Sequence, residues 1–176
     1  MPDKDRDEAR AQQRAELIQR WQSQQATVKA EKLEVTYSYW DGTGHRRAVT
    51  ITKGTTIGRF LEQVRRALAK EFPEIRSLTA DALIYVKEDL IIPHHLSFYD
   101  LIIGKARGKS GPLFRFDVHD DLRLAADATV EKEDSHPGKV VERRWYERNK
   151  HIFPASRWEV FDPAQQHDEP YTVKGK

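Results

Sequence analysis

Three periodicities follow one another along this chain, and each predicts a different element. From Asp3 to Lys32 no Gly or Pro interrupts a run dominated by Ala, Gln, Glu, Arg and Lys, which predicts a polar N-terminal helix over residues 1–32. Its apolar stripe is thin, made of Leu17, Ile18, Trp21 and Val28. Such a stripe does not hold an isolated helix in water. The helix is expected either to stay solvated with frayed ends or to dock Trp21 and Leu17 on a partner. At Leu33 the period becomes two. Leu33, Val35, Tyr37 and Tyr39 alternate with Glu34, Thr36 and Ser38, and a second alternating run sets Arg47, Val49 and Ile51 against Ala48, Thr50 and Thr52. With Asp41-Gly42-Thr43-Gly44 between them, these runs predict a β-hairpin. The period then becomes 3.6. Ile57, Phe60, Leu61, Val64, Leu68 and Phe72 line one face of a helix of about four turns, with Thr56 as N-cap and Pro73 as the stop.

Shorter apolar runs follow: Leu83–Val86, Leu90–Ile92 after a turn at Lys87-Glu88-Asp89, and Leu96–Ile102 after Pro93-His94-His95. A last strand is expected over Leu113–Val118, beyond the loop Gly104–Gly111. Hairpin, long helix, short strands and final strand is the order of an α+β, ubiquitin-like β-grasp core. The stretch Leu83–Ile102 resembles the second half of a ubiquitin-like domain, because its Leu-Ser-x-Tyr-x-x-Ile segment offers Leu96 and Tyr99 as plugs for the end of the core. The expected layout is therefore a β-grasp domain over 33–118, an acidic segment and then a basic, aromatic, helical extension packing on the core over 119–163, and a frayed tail over 164–176. No di-glycine closes the final strand, so conjugation to targets is not expected.

Charge changes this picture more than composition does. The chain has 176 residues, 30 Lys and Arg against 28 Asp and Glu, a net charge of +2, and no cysteine. Without Cys there is no disulfide scaffold, thiolate zinc site or thiol nucleophile. Apolar runs such as Leu90–Ile92 and Leu101–Ile103 fall far short of the ~20 residues that cross a bilayer. The first thirty residues lack the apolar stretch of a secretory signal. The small net charge hides opposed blocks: seven acidic residues against two basic from Asp117 to Asp134, and six basic against two acidic from Lys139 to Trp158.

Several constellations of residues bear on chemistry. Gly104-Lys105-Ala106-Arg107-Gly108-Lys109-Ser110 resembles a nucleotide loop but has three residues between its glycines, where the motif needs four, and opens into Gly111-Pro112 and a strand rather than a helix. What remains is a loop whose Lys105, Arg107 and Lys109 are either solvated or contact RNA or an acidic segment. His94 and His95 are adjacent, so on an extended segment they point apart and cannot share an ion. His119-Asp120-Asp121 has no companions at metal-binding spacing. No Ser or Thr is paired with a general base. No metal, cofactor or enzymatic activity is expected. The run Arg143-Arg144-Trp145-Tyr146, through Arg148 to Phe153 and Arg157-Trp158, interleaves cations with aromatics. It either stacks on bases or fills a protein groove, or it lashes the extension to the core through Trp145, Phe153 and Trp158, with the arginines facing outward. Trp40 and Tyr99 are the other expected structural anchors.

Four strings carry a resemblance. They are Tyr37–Arg47 (YSYWDGTGHRR), Lys87–His95 (KEDLIIPHH), Lys105–Asp121 (KARGKSGPLFRFDVHDD) and Asn149–Glu159 (NKHIFPASRWE). Together they resemble the C-terminal domain of the XAP-five family, whose plant member is the circadian timekeeper and whose animal members are the "family with sequence similarity fifty" proteins. The similarity runs from about Leu33 to Pro163. It implies a nuclear, non-enzymatic protein that associates with the spliceosome and chromatin and affects splicing and transcription. The implied partners are spliceosomal proteins and/or RNA, with no membrane, and the chain is expected to be a monomer within a larger complex. Direct RNA or DNA binding as the main activity, and a metal-dependent enzyme at His119–Asp121, are the alternatives. Family members usually carry a long Lys/Glu-rich N-terminal region with nuclear localisation signals. Only about thirty residues precede the domain here, so the chain reads as a C-terminal portion with Met1 as an added start.

Overall fold

Strict alternation in the first hairpin decides where the core lies. The computed structural model describes residues 3–104, 106–108, 111–114, 129–130 and 137–166. Helix α1 (Lys4–Ala30) runs directly into strand β1 (Lys32–Trp40), which pairs antiparallel with β2 (Gly44–Thr52) from Lys32↔Thr52 to Trp40↔Gly44. Leu33, Val35, Tyr37 and Tyr39 are all buried on one face of β1. At the turn, Gly42 takes φ +108°, a conformation that strains any side chain. The Asp41 carboxylate accepts the Thr43 backbone N–H at 3.1 Å.

Helix α2 (Ile57–Leu68) lies across that face, its Thr56 cap oxygen accepting the Arg59 N–H at 3.2 Å. The residues that spacing selected, Ile57, Phe60, Leu61, Val64 and Leu68, are all fully buried. Phe60 is the hub, meeting Tyr37, Tyr85 and Phe98 edge-on at 6.0, 5.0 and 5.2 Å. The helix is shorter than its apolar period suggested. It stops at Leu68, and Phe72, held extended at φ −118° before Pro73, lies outside it. The proline ring excludes the helical conformation from the residue before it.

Strands β3 (Leu83–Lys87) and β4 (Leu90–Ile92) form a hairpin through Glu88 and Asp89, both at positive φ, as a two-residue primed turn requires. Lys87 is the last residue of β3 rather than an exposed turn position. It is 1% exposed, its Nζ standing 4.8 Å over the Phe114 ring. The Leu96–Ile102 segment becomes helix α3 (Phe98–Ile103), capped by reciprocal bonds between Ser97 and Asp100. It is tied to the entry of α2 by Ile57 N–H to Leu96 O (2.8 Å) and Tyr99 N–H to Lys53 O (2.7 Å). Tyr99 is buried, and Leu96 is half-buried.

A correction concerns the strand that completes the sheet. Expected at Leu113–Val118, it is instead β8 (Gly138–Glu142), parallel to β1 and antiparallel to β3. Leu113 and Phe114 are buried, but Leu113 bonds back to Ala106, on the short ribbon of β5 (Arg107–Gly108) and β6 (Gly111–Pro112). Residues 115–118 lie outside the described residues. Within the extension expected over 119–163, the helix starts only at Arg143. β-Branched Val140 and Val141 are placed at the centre of the sheet, one on each face. Gly138 packs against the Tyr85 ring, into whose edge and hydroxyl a Cβ would run. β7 (Thr129–Val130) also pairs with β1, and β9 (Glu159–Val160) pairs parallel with β4. The order is thus β2-β1-β8-β3-β4-β9 in a mixed α+β fold, and the folded unit extends past residue 118.

Gly138→Ala is expected to destabilise the fold by about 1–3 kcal/mol through overpacking. Combined with Tyr85→Leu, it should cost less than the sum of the two single changes. Urea denaturation of the four proteins checks this, and strictly additive losses would refute the contact.

Candidate interaction surface

The aromatic, basic stretch is built onto the face of the sheet opposite α2. That face presents Ile84 and Val86 of β3 and Val141 of β8, packed with Ala155 and Trp158. Helix α4 (Arg143–Asn149) follows β8 without a break. Its Trp145 and Tyr146 are half-buried toward the sheet, and Arg144, Glu147 and Arg148 form the outer stripe. Trp145 stands edge-on to Trp40 at 6.4 Å and lies 6.2 Å from Trp158, on which Tyr146 stacks at 5.7 Å. The Nε1–H groups of Trp40 and Trp158 are buried with no acceptor among the described residues, so packing holds this cluster. Beyond it, Glu159 N–H donates to Asp89 O and Phe161 N–H to Ile91 O, which returns the chain to the edge of the sheet.

Trp40, Trp145 and Trp158 therefore sit together. Phe153 does not join them. Its ring is 70% exposed, beneath the Arg157 guanidinium at 5.6 Å, and Ile152 and Val160 are exposed as well. Proline geometry explains this: Pro154 turns the chain into the 3-10 turn Ala155–Arg157, and Ala155 takes the buried place instead. Among the arginines, Arg143 donates to Asp81 O at 3.1 Å, and Arg144 and Arg148 are exposed. Arg107 is exposed on its ribbon beside the Glu88 turn, where a Cβ on Gly108 would meet Glu88 Cβ. Lys105, Lys109 and His119–Asp121 lie outside the described residues, as does most of the acidic segment. His94 takes a structural part, its Nε2 2.9 Å from Leu83 O. Among the described residues, no three His, Asp or Glu are grouped to hold a metal.

A family model described as "XAP5, circadian clock regulator C-terminal domain" matches residues 31–172. The chain belongs to the XAP5 family. It is 59% identical over 175 residues to the XAP5 circadian timekeeper protein of Arabidopsis thaliana, covering 99% of this chain and 52% of that one. It is 58% identical over 176 residues to the FAM50 homolog of Drosophila melanogaster, covering 100% of this chain and 49% of that one. The chain spans about half the length of these curated relatives.

The α2 side of this XAP5 domain holds charges that reading the C-terminal half alone passes over. From Gly44 to Arg76 there are eight Lys and Arg against three Glu, and a charge sum over that window would have found them. Each of the three carboxylates is engaged. Glu71 accepts two bonds from Arg47, the shorter at 2.7 Å. Glu74 accepts the Tyr39 hydroxyl at 3.2 Å, and burial together with that carboxylate raises the Tyr39 pKa. Burial also raises Tyr37 to about 12. Glu62 accepts two bonds from Arg65 and one from Arg66, and these, Arg65 first, hold its carboxyl at about 2.

Because the folded-state value of Glu62 lies below its ordinary 4.5, its contribution is complete above that pH and is lost as pH falls toward 2. Glu62→Gln should therefore cost up to ~1 kcal/mol at neutral pH, a small amount because the partly exposed pair is screened by solvent. The gap from wild type should close between about pH 5 and pH 2 in urea titrations; a gap independent of pH would refute this.

Proposed function

We propose that this chain carries a ubiquitin-like β-grasp domain serving, without catalysis, as an adaptor in nuclear pre-mRNA splicing complexes. The strand order β2-β1-β8-β3-β4, with β8 parallel to β1 and α2 crossing one face, supports the β-grasp reading. Membership of the XAP5 family supports the nuclear splicing role, and the family's description as a circadian clock regulator supports an influence on transcription. The partners are spliceosomal proteins and/or RNA, with chromatin as a further setting, and the domain acts as a monomer within the larger assembly.

The observation that carries the adaptor role is the outward side of the α4 region. A tryptophan cluster packed on the sheet holds the backbone, and exposed Arg144, Arg148 and Arg157 stand on the same short stretch as exposed Ile152 and Phe153. Arginine with large apolar side chains on a rigid support is the composition of a protein-binding hot spot. Lys105, Arg107 and Lys109 extend the proposed contact surface, two of them from outside the described residues.

Arg144→Glu/Arg148→Glu, and separately Phe153→Ala, should lower recovery of this chain with purified spliceosomes. A hot-spot loss of ~2 kcal/mol corresponds to more than tenfold in affinity. Unchanged recovery with both variants, the fold intact by circular dichroism, would sink the α4 surface. The same assay with Lys105, Arg107 and Lys109 reversed to Glu decides the part played by the loop.

A further inference from the structure

We propose that the α2 side of the domain is a second binding surface, and that its ligand is the phosphodiester backbone of a nucleic acid. Arg59, Gln63, Arg66 and Lys70 follow one another at i, i+4, i+7 and i+11, and all four are exposed. That spacing puts them on one stripe of α2 and the turn after it. At about 1.5 Å per residue, the cations stand roughly 10 Å and then 6 Å apart along it. Arg76 continues the row, its Nε donating to Ala69 O at 3.1 Å while the residue stays exposed. Arg59 and Lys70 have no ion pair or side-chain hydrogen bond among the described residues. Glu71 and Glu74 are engaged by Arg47 and Tyr39, and Glu62 is shared between Arg65 and the row's Arg66, so no carboxylate of the segment pairs with Arg59 or Lys70 among the described residues. The segment from Gly44 to Arg76 therefore keeps a net charge of +5, from eight cations and three carboxylates, within a chain whose total is +2.

Chemistry selects the ligand class. The exposed large apolar residues among those described are Leu17, Ile18, Trp21, Ile103, Ile152, Phe153 and Val160, and none lies on α2 or β2. A protein partner needs an apolar centre for its hot spot, and a base-reading surface needs exposed aromatics or groove-reading side chains. A row of Arg, Gln and Lys with neither is suited to phosphate oxygens, which position a nucleic acid without reading its sequence. α2 and α4 pack on opposite faces of the sheet. One domain can thus hold a nucleic-acid backbone on one side and a partner on the other, and the backbone site does not rest on the adaptor reading.

Fluorescence anisotropy of the full chain with a 20-nucleotide single-stranded RNA, a 20-base-pair RNA duplex, a 20-base-pair DNA duplex and polyglutamate tests this. Binding of the nucleic acids is expected to be indifferent to sequence and to weaken steeply from 50 to 200 mM salt. Arg59→Glu/Arg66→Glu/Lys70→Glu should lower affinity at least tenfold and reduce the salt slope by about 2–3, at 0.7–0.9 per lost phosphate contact. Arg59→Gln/Lys70→Gln, which breaks no ion pair, guards against misfolding and should still lower affinity about threefold or more, with one to two units off the slope. Arg10→Gln/Arg14→Gln on α1, both exposed, should stay within twofold of wild type. Absence of salt-sensitive binding at 50 mM, an unchanged affinity in the Arg59/Lys70 pair, an equal loss in the α1 pair, or tighter binding to polyglutamate would each overturn the proposal.

Discussion

The insertion of Gly138–Glu142 between β1 and β3 is the constraint on which both faces of the molecule depend. Those two strands are far apart in sequence, and without β8 each would present a row of unpaired N–H and C=O groups to its neighbour. β8 satisfies both rows at once, parallel on one side and antiparallel on the other. It also supplies Val140 to the α2 core and Val141 to the opposite cluster, each with no exposed surface. Close approach to Tyr85 makes this possible only because residue 138 has no side chain.

That strand also sets where function can lie. Because α4 begins at the residue after β8, its direction is inherited from the sheet. The Trp40, Trp145 and Trp158 contacts then fix which side of the helix faces inward. The arginines of the outer stripe are presented by elimination, since the apolar positions of a seven-residue helix are spent on the sheet. On the other face α2 works in the same way, with Phe60 as the inward hub and Arg59, Arg66 and Lys70 left outward. Helix α1 contrasts with both. Only its end engages the body, through Lys29 O to Gly54 N–H, Glu31 O to Lys53 N–H, and Lys29 over Tyr99. Leu17, Ile18 and Trp21 remain exposed.

Local pattern was sufficient wherever an element buries one face against its immediate neighbours. The alternation of β1, the 57-60-61-64-68 stripe of α2, the Thr56 cap and the β3–β4 hairpin could all be read from residue spacing. Pattern failed where a residue's environment is made by distant chain. Lys87 has the polarity of a turn residue but is covered by Phe114, and Phe153 has the size of an anchor but is left outside by the path through Pro154 and Ala155.

By itself, then, the sequence determined the two amphipathic elements that build the α2 core, the family, and the charge blocks along the chain. The tertiary structure decided which strand closes the sheet and which charges are left unpaired. Periodicity records how a segment is divided between inside and outside, whereas strand order and ion pairing depend on long-range backbone hydrogen bonding and on packing as tight as a single Cβ. Val140 and Val141 precede a basic, aromatic run, and nothing local to them specifies a strand. Only the open edges of β1 and β3, supplied from far earlier in the chain, make them a strand.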